Sequence, residues 1–329
     1  MKITILTEKD IRSCVSMDED AISVVELGFS KLTSGGVSLP PIMRVDVADK
    51  HGEVDIKSAY IHGLDSFAIK IAAGFHDNHL LGLPTGSGMM ILVRAETGHP
   101  IAVLLDNGYL TDVRTGIAGA IAAKYLAKDH LRTVGVIGSG VQSRFQMGAL
   151  KLVRDYSRML VYGIIPIEVA RFVHEMEGDL GVEVVAAENV ETVVRESDVV
   201  VTTTPAHKPF LRAGWMHPGL HITCMGSDAE DKQELFADTF VRADNVACDS
   251  KAQCFRLGEL HHALAAGVIT RESEIIELGE LILDEKTGRQ SDDEITICDL
   301  TGVGVQDTQI ARLAYQRATE KGLGLRIEA

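Results

Sequence analysis

The sequence predicts an α/β protein with two sheets, an antiparallel α+β region followed by a doubly wound parallel sheet. Between residues 42 and 106, strand patterns follow one another through short turns without an intervening helix, as in antiparallel sheets. After residue 132, strand and helix patterns alternate, as in a parallel sheet with helices on both faces. The change between the two styles predicts a domain boundary near residues 110–120.

The composition indicates a globular protein of 329 residues, which is long enough for two domains. A formal net charge of −15 leaves no basic surplus for binding nucleic acid. No apolar run approaches the roughly 18 residues of a membrane span, and the N-terminal residues lack a signal-peptide pattern. The five cysteines are scattered, as in proteins of a reducing compartment. We therefore expect a cytoplasmic protein with neither nucleic-acid nor membrane partners.

The first region opens with one strand and one helix, after which β patterns dominate. Residues 3–6 are typical of a strand, Thr7 suits the N-cap of a helix, and residues 17–32 show helical spacing of apolar side chains. Alternating or β-rich runs then predict five strands, at residues 43–47, 53–61, 67–73, 87–93 and 101–105.

The second region begins with an Ala-rich helix, predicted at residues 116–128. Strands are predicted at residues 133–137, 159–162, 183–186, 199–203, 220–224, 245–248 and 295–298, and helices at residues 167–177 and 190–196. A last helix is predicted at residues 305–321, and we expect it to return to the first domain.

The segment Gly138-Ser-Gly140-Val-Gln-Ser143 lies between a strand pattern and a helix pattern. This is the order of a dinucleotide-binding turn of the Rossmann type. Gly138 permits a sharp turn, Gly140 lets the backbone approach a pyrophosphate, and the following helix N-terminus offers free N–H groups. The third position is Ser143 instead of glycine, and a Gly-x-Gly-x-x-small pattern alone also arises by chance.

The ends of two predicted strands bear on cofactor binding, the first on the choice between NAD and NADP and the second on cofactor contact. About 20 residues after the glycines, dinucleotide-binding folds carry an acid for the ribose or a cation for a 2′-phosphate. The corresponding residues 162–166 hold neither, which favours NAD over NADP. Thr203 and Thr204 end an apolar strand, where ligands bind in such sheets. The alternative is a strand that simply runs into a turn.

Three cations and one acid are candidates for chemistry. Arg44 and Lys70 interrupt apolar strand patterns, where a charge either lies on an exposed sheet face or is buried beside a partner. Arg114 is expected to open the Ala-rich helix, and a cation at that end opposes the helix dipole, which suggests an anionic ligand. Asp228 follows a predicted strand of the parallel sheet, although it and its acidic neighbours could also be solvated acids at a helix start.

Five segments together resemble the ornithine cyclodeaminase/mu-crystallin family. They are Gly82-Leu-Pro-Thr85, Leu110-Thr-Asp-Val-Arg114-Thr-Gly, Gly138–Ser143, Gly226-Ser-Asp228-Ala-Glu-Asp-Lys-Gln-Glu-Leu and Gly302-Val-Gly-Val-Gln306-Asp307. Each is loose by itself, but the five occur in the family's order and cover nearly the whole chain. The resemblance implies a homodimer. It further implies a substrate-binding and dimerisation domain at residues 1–115, joined by the C-terminal helix 305–329, and an NAD-binding Rossmann-type domain at residues 116–304.

The resemblance also implies redox chemistry at a carbon–nitrogen bond and roles for individual residues. Lys70 and Asp228 match catalytic positions, and Arg44, Lys70 and Arg114 match substrate ligands. The implied cofactor contacts are Thr85, Arg114, Thr115, Gly138, Ser139, Gly140, Val141, Gln142, Thr203, Thr204, Asp228 and Val303. No metal site is expected, because His76 and His79 have no third ligand at useful spacing, and a polar loop is expected there.

The Asp228 segment is most similar to the ectoine-utilisation branch of the family and to the iminosuccinate reductase of the β-hydroxyaspartate pathway. It departs from the Gly-Ala-Asp-x-Pro-Gly-Lys form of cyclodeaminases and archaeal alanine dehydrogenases. We therefore expect NADH-dependent reduction of a small imino acid, with iminosuccinate to L-aspartate as the leading candidate and NADP as the second choice of cofactor. The family also leaves open an ornithine cyclodeaminase, an alanine dehydrogenase and a non-catalytic ligand-binding protein of mu-crystallin type.

Overall fold

The computed structural model describes residues 2–328, which divide into two compact units. The split unit consists of the residues up to Arg114 together with those from Val303 onward. The continuous unit spans Thr115–Gly302. The two segments of the split unit are therefore separated in sequence by the whole of the continuous unit.

Strands dominate the split unit, and strands alternate with helices in the continuous unit. The strands are β1 (Lys2–Thr7), β2 (Val37–Ser38), β3 (Met43–Val47), β4 (Gly52–Ile61), β5 (Ser66–Phe75), β6 (Gly86–Arg94), β7 (Pro100–Leu105), β8 (Thr133–Ile137), β9 (Arg158–Tyr162), β10 (Glu183–Ala186), β11 (Val199–Thr202), β12 (His221–Cys224), β13 (Asn245–Cys248), β14 (Ile276–Glu277), β15 (Thr296–Asp299) and β16 (Leu325–Glu328). The helices are α1 (Glu8–Arg12), α2 (Glu19–Thr33), α3 (Tyr109–Leu126), α4 (Val141–Val153), α5 (Pro166–Leu180), α6 (Val190–Glu196), α7 (Thr239–Arg242), α8 (Lys251–Cys254), α9 (Glu259–Ala265), α10 (Leu278–Ile282) and α11 (Gly304–Glu320).

The sheet of the split unit has the strand order β16-β1-β7-β6-β5-β4-β2, and β3 also pairs with β4. The strands from β3 to β7 pair antiparallel, as predicted. At the other edge, β1 pairs parallel with β7 and antiparallel with β16. The sheet is therefore mixed, whereas the sequence predicted an antiparallel one, because β1 joins it from outside the run of hairpins.

One face of this sheet is covered by α2 and α11. The first turn of α11 lies directly on β4 and β5. A Cβ on Gly304 would lie 2.4 Å from the carbonyl oxygen of Ser58, so only glycine permits this approach. Thr308 Oγ1 donates to the carbonyl of Ala59 at 2.7 Å and accepts from the N–H of Ala68 at 3.0 Å. These contacts fix the side chains of the first turn of α11 against the middle of the sheet.

The sheet of the continuous unit has the order β10-β9-β8-β11-β12-β15-β13-β14, and its strand pairs are parallel. The chain builds outward from β8 through β9 to β10, then returns to the other side of β8 with β11. This reversal between β8 and β11 is the topological switch point at which doubly wound sheets bind ligands. The prediction of a Rossmann-type sheet is confirmed.

Two helix boundaries differ from the predicted ones. α3 begins at Tyr109 and not at residue 116, so Arg114 lies in its second turn and, contrary to the prediction, does not oppose the dipole at the helix start. α11 ends at Glu320, and β16 follows it, so the expected helix does not reach residue 329. No helix in the described part of the chain combines the length and apolarity that crossing a membrane requires.

Candidate active site

The glycine turn connects β8 to α4 in the predicted way. Gly138 has a φ of +115°, and a Cβ there would lie 2.4 Å from Thr203 Oγ1, so both the backbone and the available space require glycine. Within residues 2–328, no atom outside Ser139, Gly140 and Val141 lies within 4 Å of a Cβ built on Gly140, and no side chain caps the N-terminus of α4. The first N–H groups of α4 therefore suit an anionic ligand such as a phosphate.

Hydroxyl groups hold this turn together. The buried Ser143 donates from Oγ to the carbonyl of Gly138 at 2.9 Å and lies 2.8 Å from Thr203 Oγ1. The N–H of Thr203 donates to the carbonyl of Ile137 at 2.9 Å. Ser143 thus does more than fill the position of a third glycine, because it ties the turn to the end of β11. Thr203, which follows β11, therefore lies beside the glycine turn.

Arg144 also fixes the turn, although it was not predicted from the sequence. Its Nη1 donates to the carbonyls of Ser139 and Gly140 at 2.8 and 2.9 Å. Its Nε and Nη2 contact Glu175 at 2.7 and 2.6 Å. The signal in the sequence was a cation in the first turn of a helix, where it opposes the dipole unless it has a local partner.

Glu234 is a second unpredicted residue, and it organises the loops after β11 and β12. Its fully buried carboxylate accepts from Thr202 Oγ1 at 2.6 Å, from the N–H and Oγ1 of Thr204 at 2.7 Å, and from the N–H of Gly226 at 3.0 Å. Burial raises its pKa to about 6 despite these bonds. Thr204 is therefore bound to a buried acid, and the same acid positions the loop that leads to Asp228.

Asp228 lies in the loop after β12. Its side chain is 48% exposed, and its carboxylate contacts Lys232 Nζ at 2.7 Å. The buried Ser227 donates to the carbonyl of Lys232 at 2.6 Å, which closes the loop. No helix forms between residues 225 and 238, so Asp228 and its acidic neighbours are not acids at a helix start. The structure therefore presents Asp228 as an accessible carboxylate beside a lysine.

The end of β9 offers space and apolar surface. A Cβ on Gly163 would lie 2.9 Å from Ser139 Oγ, so Gly163 allows β9 to pack under the glycine turn. Ile164, next in the chain, is 87% exposed. Residues 163–166 contain no charged side chain, and the position that would select between a ribose hydroxyl and a 2′-phosphate therefore carries no charge of its own.

In the split unit, Lys70 and Arg114 converge on Asp307. Lys70 Nζ and Arg114 Nε each lie 3.0 Å from Asp307 Oδ1, and the three side chains are only 2%, 6% and 0% exposed. They come from β5, α3 and α11, which are distant in sequence. Asp307 was not assigned a role from the sequence, although its motif was recognised. We call these three residues the cation–carboxylate cluster.

Burial and neighbouring charges set the protonation of this cluster. Lys57 is also buried and lies opposite Lys70 in the pairing of β4 with β5. Burial, reinforced by Arg114 and Lys57, lowers the pKa of Lys70 to about 7, although Asp307 acts in the opposite direction. Burial works to raise the pKa of Asp307, but Arg114 and Lys70 hold it below its ordinary value. Burial also raises the pKa of nearby Asp106 to about 6.

Gln306 fixes Arg114 to the start of α11. Arg114 Nη1 donates to Gln306 Oε1 at 3.3 Å, and Gln306 Nε2 donates to the carbonyl of Arg114 at 3.4 Å. The same Oε1 accepts from the N–H of Val303 at 2.9 Å. Val303 is buried and precedes α11 as its N-cap. The guanidinium therefore has a defined direction before any ligand binds.

The remaining predicted residues are more dispersed. Arg44 lies on β3, where its guanidinium contacts Asp46 at 2.8 Å and Glu53 at 2.5 Å. Thr85 is exposed. Thr115 is buried, and its carbonyl accepts from Gln146 Nε2 at 2.9 Å. Val141 and Gln142 form the start of α4, with Val141 58% exposed.

The segment His76–Leu81 forms a 3₁₀ turn, but the side chain of His76 lies outside the described residues. The expectation for His76 and His79 therefore stays a prediction. Among the side chains that the structure describes, no group of three or more His, Cys, Asp or Glu residues could hold a metal ion.

Comparisons with known proteins agree along the whole chain. The sequence profile of the ornithine cyclodeaminase/mu-crystallin family matches residues 1–322. An uncharacterised cyclodeaminase of Sinorhizobium fredii is 47% identical over 326 residues, which are 99% of this chain and 98% of that protein. The alanine dehydrogenase of Archaeoglobus fulgidus is 37% identical over 328 residues, which are 100% of this chain and 99% of that protein.

Three solved structures share this fold over their full length. The Δ1-pyrroline-2-carboxylate reductase of Thermococcus litoralis, in complex with NADH and L-proline, superimposes with a TM-score of 0.94 at 30% identity and covers 99% of this chain and 100% of that one. An archaeal alanine dehydrogenase dimer with bound NAD gives 0.92 at 36% identity, with coverage of 100% and 99%. The iminosuccinate reductase of Paracoccus denitrificans, in complex with NAD+, gives 0.91 at 28% identity, with full coverage of both chains.

Proposed function

The chain belongs to the ornithine cyclodeaminase/mu-crystallin family, and from this premise we propose that it is an NADH-dependent reductase of small imino acids. The cation–carboxylate cluster is the observation that carries the proposal, because it places a proton-carrying lysine beside a guanidinium suited to a carboxylate. Three similar proteins are a pyrroline-2-carboxylate reductase, an alanine dehydrogenase and an iminosuccinate reductase. All three act at a carbon–nitrogen bond, and the proposed activity is of the same type.

The continuous unit fits a nicotinamide dinucleotide. Gly138 permits the turn, the open space at Gly140 leaves room for a pyrophosphate, and α4 presents its uncapped N-terminus. Thr203 and Thr204 line the switch point. When bound, this group supplies hydride chemistry. The uncharged residues 163–166 provide no cation for a 2′-phosphate, which supports NAD over NADP.

The residues of the chain bind, orient and protonate the substrate. Arg114 can bind a substrate carboxylate through N–H groups other than those directed at Asp307 and Gln306. Lys70, whose pKa is about 7, can hold or release a proton at neutral pH. The Asp228 carboxylate can stabilise a protonated imine nitrogen, which makes the adjacent carbon more electrophilic. The role of Asp228 rests on the family resemblance.

Iminosuccinate, giving L-aspartate, is the leading substrate. Two buried cations of the split unit, Lys70 and Arg114, share the single carboxylate of Asp307, and this arrangement suits an anionic ligand. Arg44 could serve a second carboxylate after exchanging its present partners. Iminopyruvate, giving alanine, is the second candidate, because the alanine dehydrogenase of A. fulgidus is 37% identical to this chain.

An NADH-oxidation assay tests the proposal. The purified protein is supplied with oxaloacetate plus ammonia, with pyruvate plus ammonia, or with Δ1-pyrroline-2-carboxylate, and each mixture is repeated with NADPH. We expect the fastest oxidation with oxaloacetate plus ammonia and NADH. Absence of oxidation in every mixture would overturn the reductase assignment. Release of ammonia from ornithine without net NADH consumption would instead indicate a cyclodeaminase, and cofactor binding without turnover would indicate a ligand-binding protein.

We also propose that the protein is a homodimer formed through the second face of the split-unit sheet. This face carries a row of half-buried apolar side chains, Ile56, Phe67, Ile69, Ile71, Met89, Ile91 and Val103. A contiguous apolar sheet face of this kind is typical of a protein interface. The archaeal alanine dehydrogenase, of the same fold and 36% identical, was solved as a dimer, so a second copy of the chain is the proposed occupant.

The molecular mass of the protein, measured by light scattering as it elutes from a size-exclusion column, tests the dimer. The double substitution Ile69→Glu and Ile91→Glu places charges in the apolar row and should halve the measured mass. Ile164→Glu changes a more exposed isoleucine of the continuous unit and should leave the mass unchanged. A wild-type protein of monomer mass, or a double variant of unchanged mass, would refute this interface.

A further inference from the structure

Among the residues that the structure describes, Asp307 is the carboxylate that contacts both Lys70 and Arg114. It is fully buried in the first turn of α11. That turn cannot shift easily, because Gly304 lies against the backbone of Ser58 and Thr308 bonds to both β4 and β5. The carboxylate is therefore held at one point of the sheet by the backbone around it.

Resting on the reductase function proposed above, we propose that Asp307 is a positioning residue that holds the Lys70 ammonium and the Arg114 guanidinium on one carboxylate oxygen and thereby sets the charge state of Lys70. An isolated carboxylate in this place would be costly to bury, and two cations without it would repel each other. With Lys70 protonated, the three side chains carry one net positive charge, which is available to a substrate anion.

The charged groups that face Lys70 come from several elements. Asp307 faces it from α11, Arg114 from α3, Lys57 from β4, and Asp106 from the segment before α3. Asp307 favours the protonated lysine, whereas Arg114 and Lys57 disfavour it. Removing the negative charge of Asp307 should therefore lower the pKa of Lys70 further.

The first test is the pH profile of kcat/KM. In Asp307→Asn, the limb of the pH profile that reflects deprotonation of Lys70 should move to lower pH. As a result, kcat/KM at pH 8 should fall by about tenfold or more. Asp307→Glu keeps the charge and should restore the position of the limb. A substitution that only loosened the structure would lower the profile without moving it. A limb that stays in place in Asp307→Asn would overturn the inference.

The second test needs no activity and follows the unfolding free energy from pH 6 to pH 10. A lysine with a lowered native pKa binds fewer protons in the native than in the unfolded state, so stability rises with pH between the two pKa values. For the wild type this rise begins near pH 7, and in Asp307→Asn it should extend below pH 7. In a Lys70→Met background the Asn substitution should leave the pH dependence unchanged.

The two tests distinguish failure of the proposed reductase function from failure of the positioning role of Asp307. If the wild type reduces no imine, the proposed function fails, while the stability cycle still decides whether Asp307 controls Lys70. If the wild type is active but Asp307→Asn changes the pH dependence of the unfolding free energy equally with and without Lys70, the positioning role is refuted.

Discussion

Both units bury charged side chains beside their proposed ligand sites, but they compensate for the burial in opposite ways. In the split unit, Asp307 lies between Lys70 and Arg114, and the two cations keep its pKa below the ordinary value against the effect of burial. In the continuous unit, Glu234 and Asp299 lie among other acids, and burial raises their pKa values to about 6 and about 8.

The difference shows which cluster keeps its charges. Asp307, paired with cations, remains ionised, so the split unit holds real charges that can act on a substrate. Asp299 remains protonated at neutral pH, and Glu234 is close to its titration point, so these acids serve mainly as hydrogen-bond partners. Glu234 binds the two loops that carry Thr204 and Gly226. The buried acid of the split unit thus contributes a charge, whereas the buried acids of the continuous unit hold its loops in place by hydrogen bonds.

The largest effect should come from Lys70→Met, which removes a charge from the split unit. We expect kcat for the imine to fall by roughly 100-fold or more, the size of an electrostatic transition-state contribution. The fold should persist, because Asp307 keeps Arg114 as its partner when Lys70 is replaced, so that no buried charge is left uncompensated. Steady-state NADH oxidation measures the loss.

The control for this prediction is Lys151→Met, which changes a lysine paired with the exposed Asp155. It should leave kcat unchanged. Normal turnover in Lys70→Met would contradict the contrast between the two units, because the charges of the split unit would then be structural only.

An intermediate effect should come from Gly138→Ala in the continuous unit. Gly138 has a positive φ, and the added Cβ would lie 2.4 Å from Thr203 Oγ1. The substitution should therefore cost roughly 1–3 kcal/mol of stability and weaken NADH binding. Gly140→Ala meets open space, so its stability should change by about 0.5 kcal/mol or less while NADH binding still weakens. Denaturant unfolding and NADH fluorescence titration measure the two quantities. Equal destabilisation by both substitutions would show that the turn is not held by Thr203.

The smallest effect, visible only in the pH dependence of stability, should come from Asp299→Asn. Because its native pKa is raised to about 8, first by burial and then by Asp249, the native state holds a proton that the unfolded state releases. Stability from this group is therefore present below about pH 4 and is lost as pH rises to about 8. Asparagine mimics the protonated acid, so the variant should lose less stability between pH 5 and pH 8, by about 1 kcal/mol or more.

Unfolding by urea at the two pH values measures this difference. Asp198, whose pKa is held low by Lys128 and backbone N–H groups against the effect of burial, offers a control of opposite sign, since Asp198→Asn should remove stability at neutral pH. Identical pH dependence in the wild type and in Asp299→Asn would show that Asp299 is ionised like Asp307.

Local patterns in the sequence predicted the continuous unit well. The glycine turn and the alternation of strands and helices are neighbouring residues, and their geometry follows from backbone rules that act over short distances. Arg144 and Glu234 were not predicted, because their roles depend on carbonyl and N–H groups that only the folded loops bring to them.

The cation–carboxylate cluster could be predicted only in part. Lys70 was recognised as a cation in an apolar strand, either on an exposed sheet face or buried beside a partner, and the structure shows the second alternative. That partner is Asp307, more than two hundred residues away in the chain, and no local pattern connects them. The pairing of β1 with β7 and β16 escaped prediction for the same reason, because strands that pair over such distances leave no turn between them.

The pairing of β1 with β16 also has a consequence for synthesis. Lys2 lies opposite Glu328 in this ladder, and Asp307 follows the whole of the continuous unit in the sequence. On the ribosome, the continuous unit can fold once its own residues have emerged, since domains generally fold as units during synthesis. The split unit, by contrast, must wait for the residues from Val303 onward. Until then β1 lacks its pairing with β16 and Lys70 lacks the Asp307 carboxylate, so the cation–carboxylate cluster is assembled after the continuous unit.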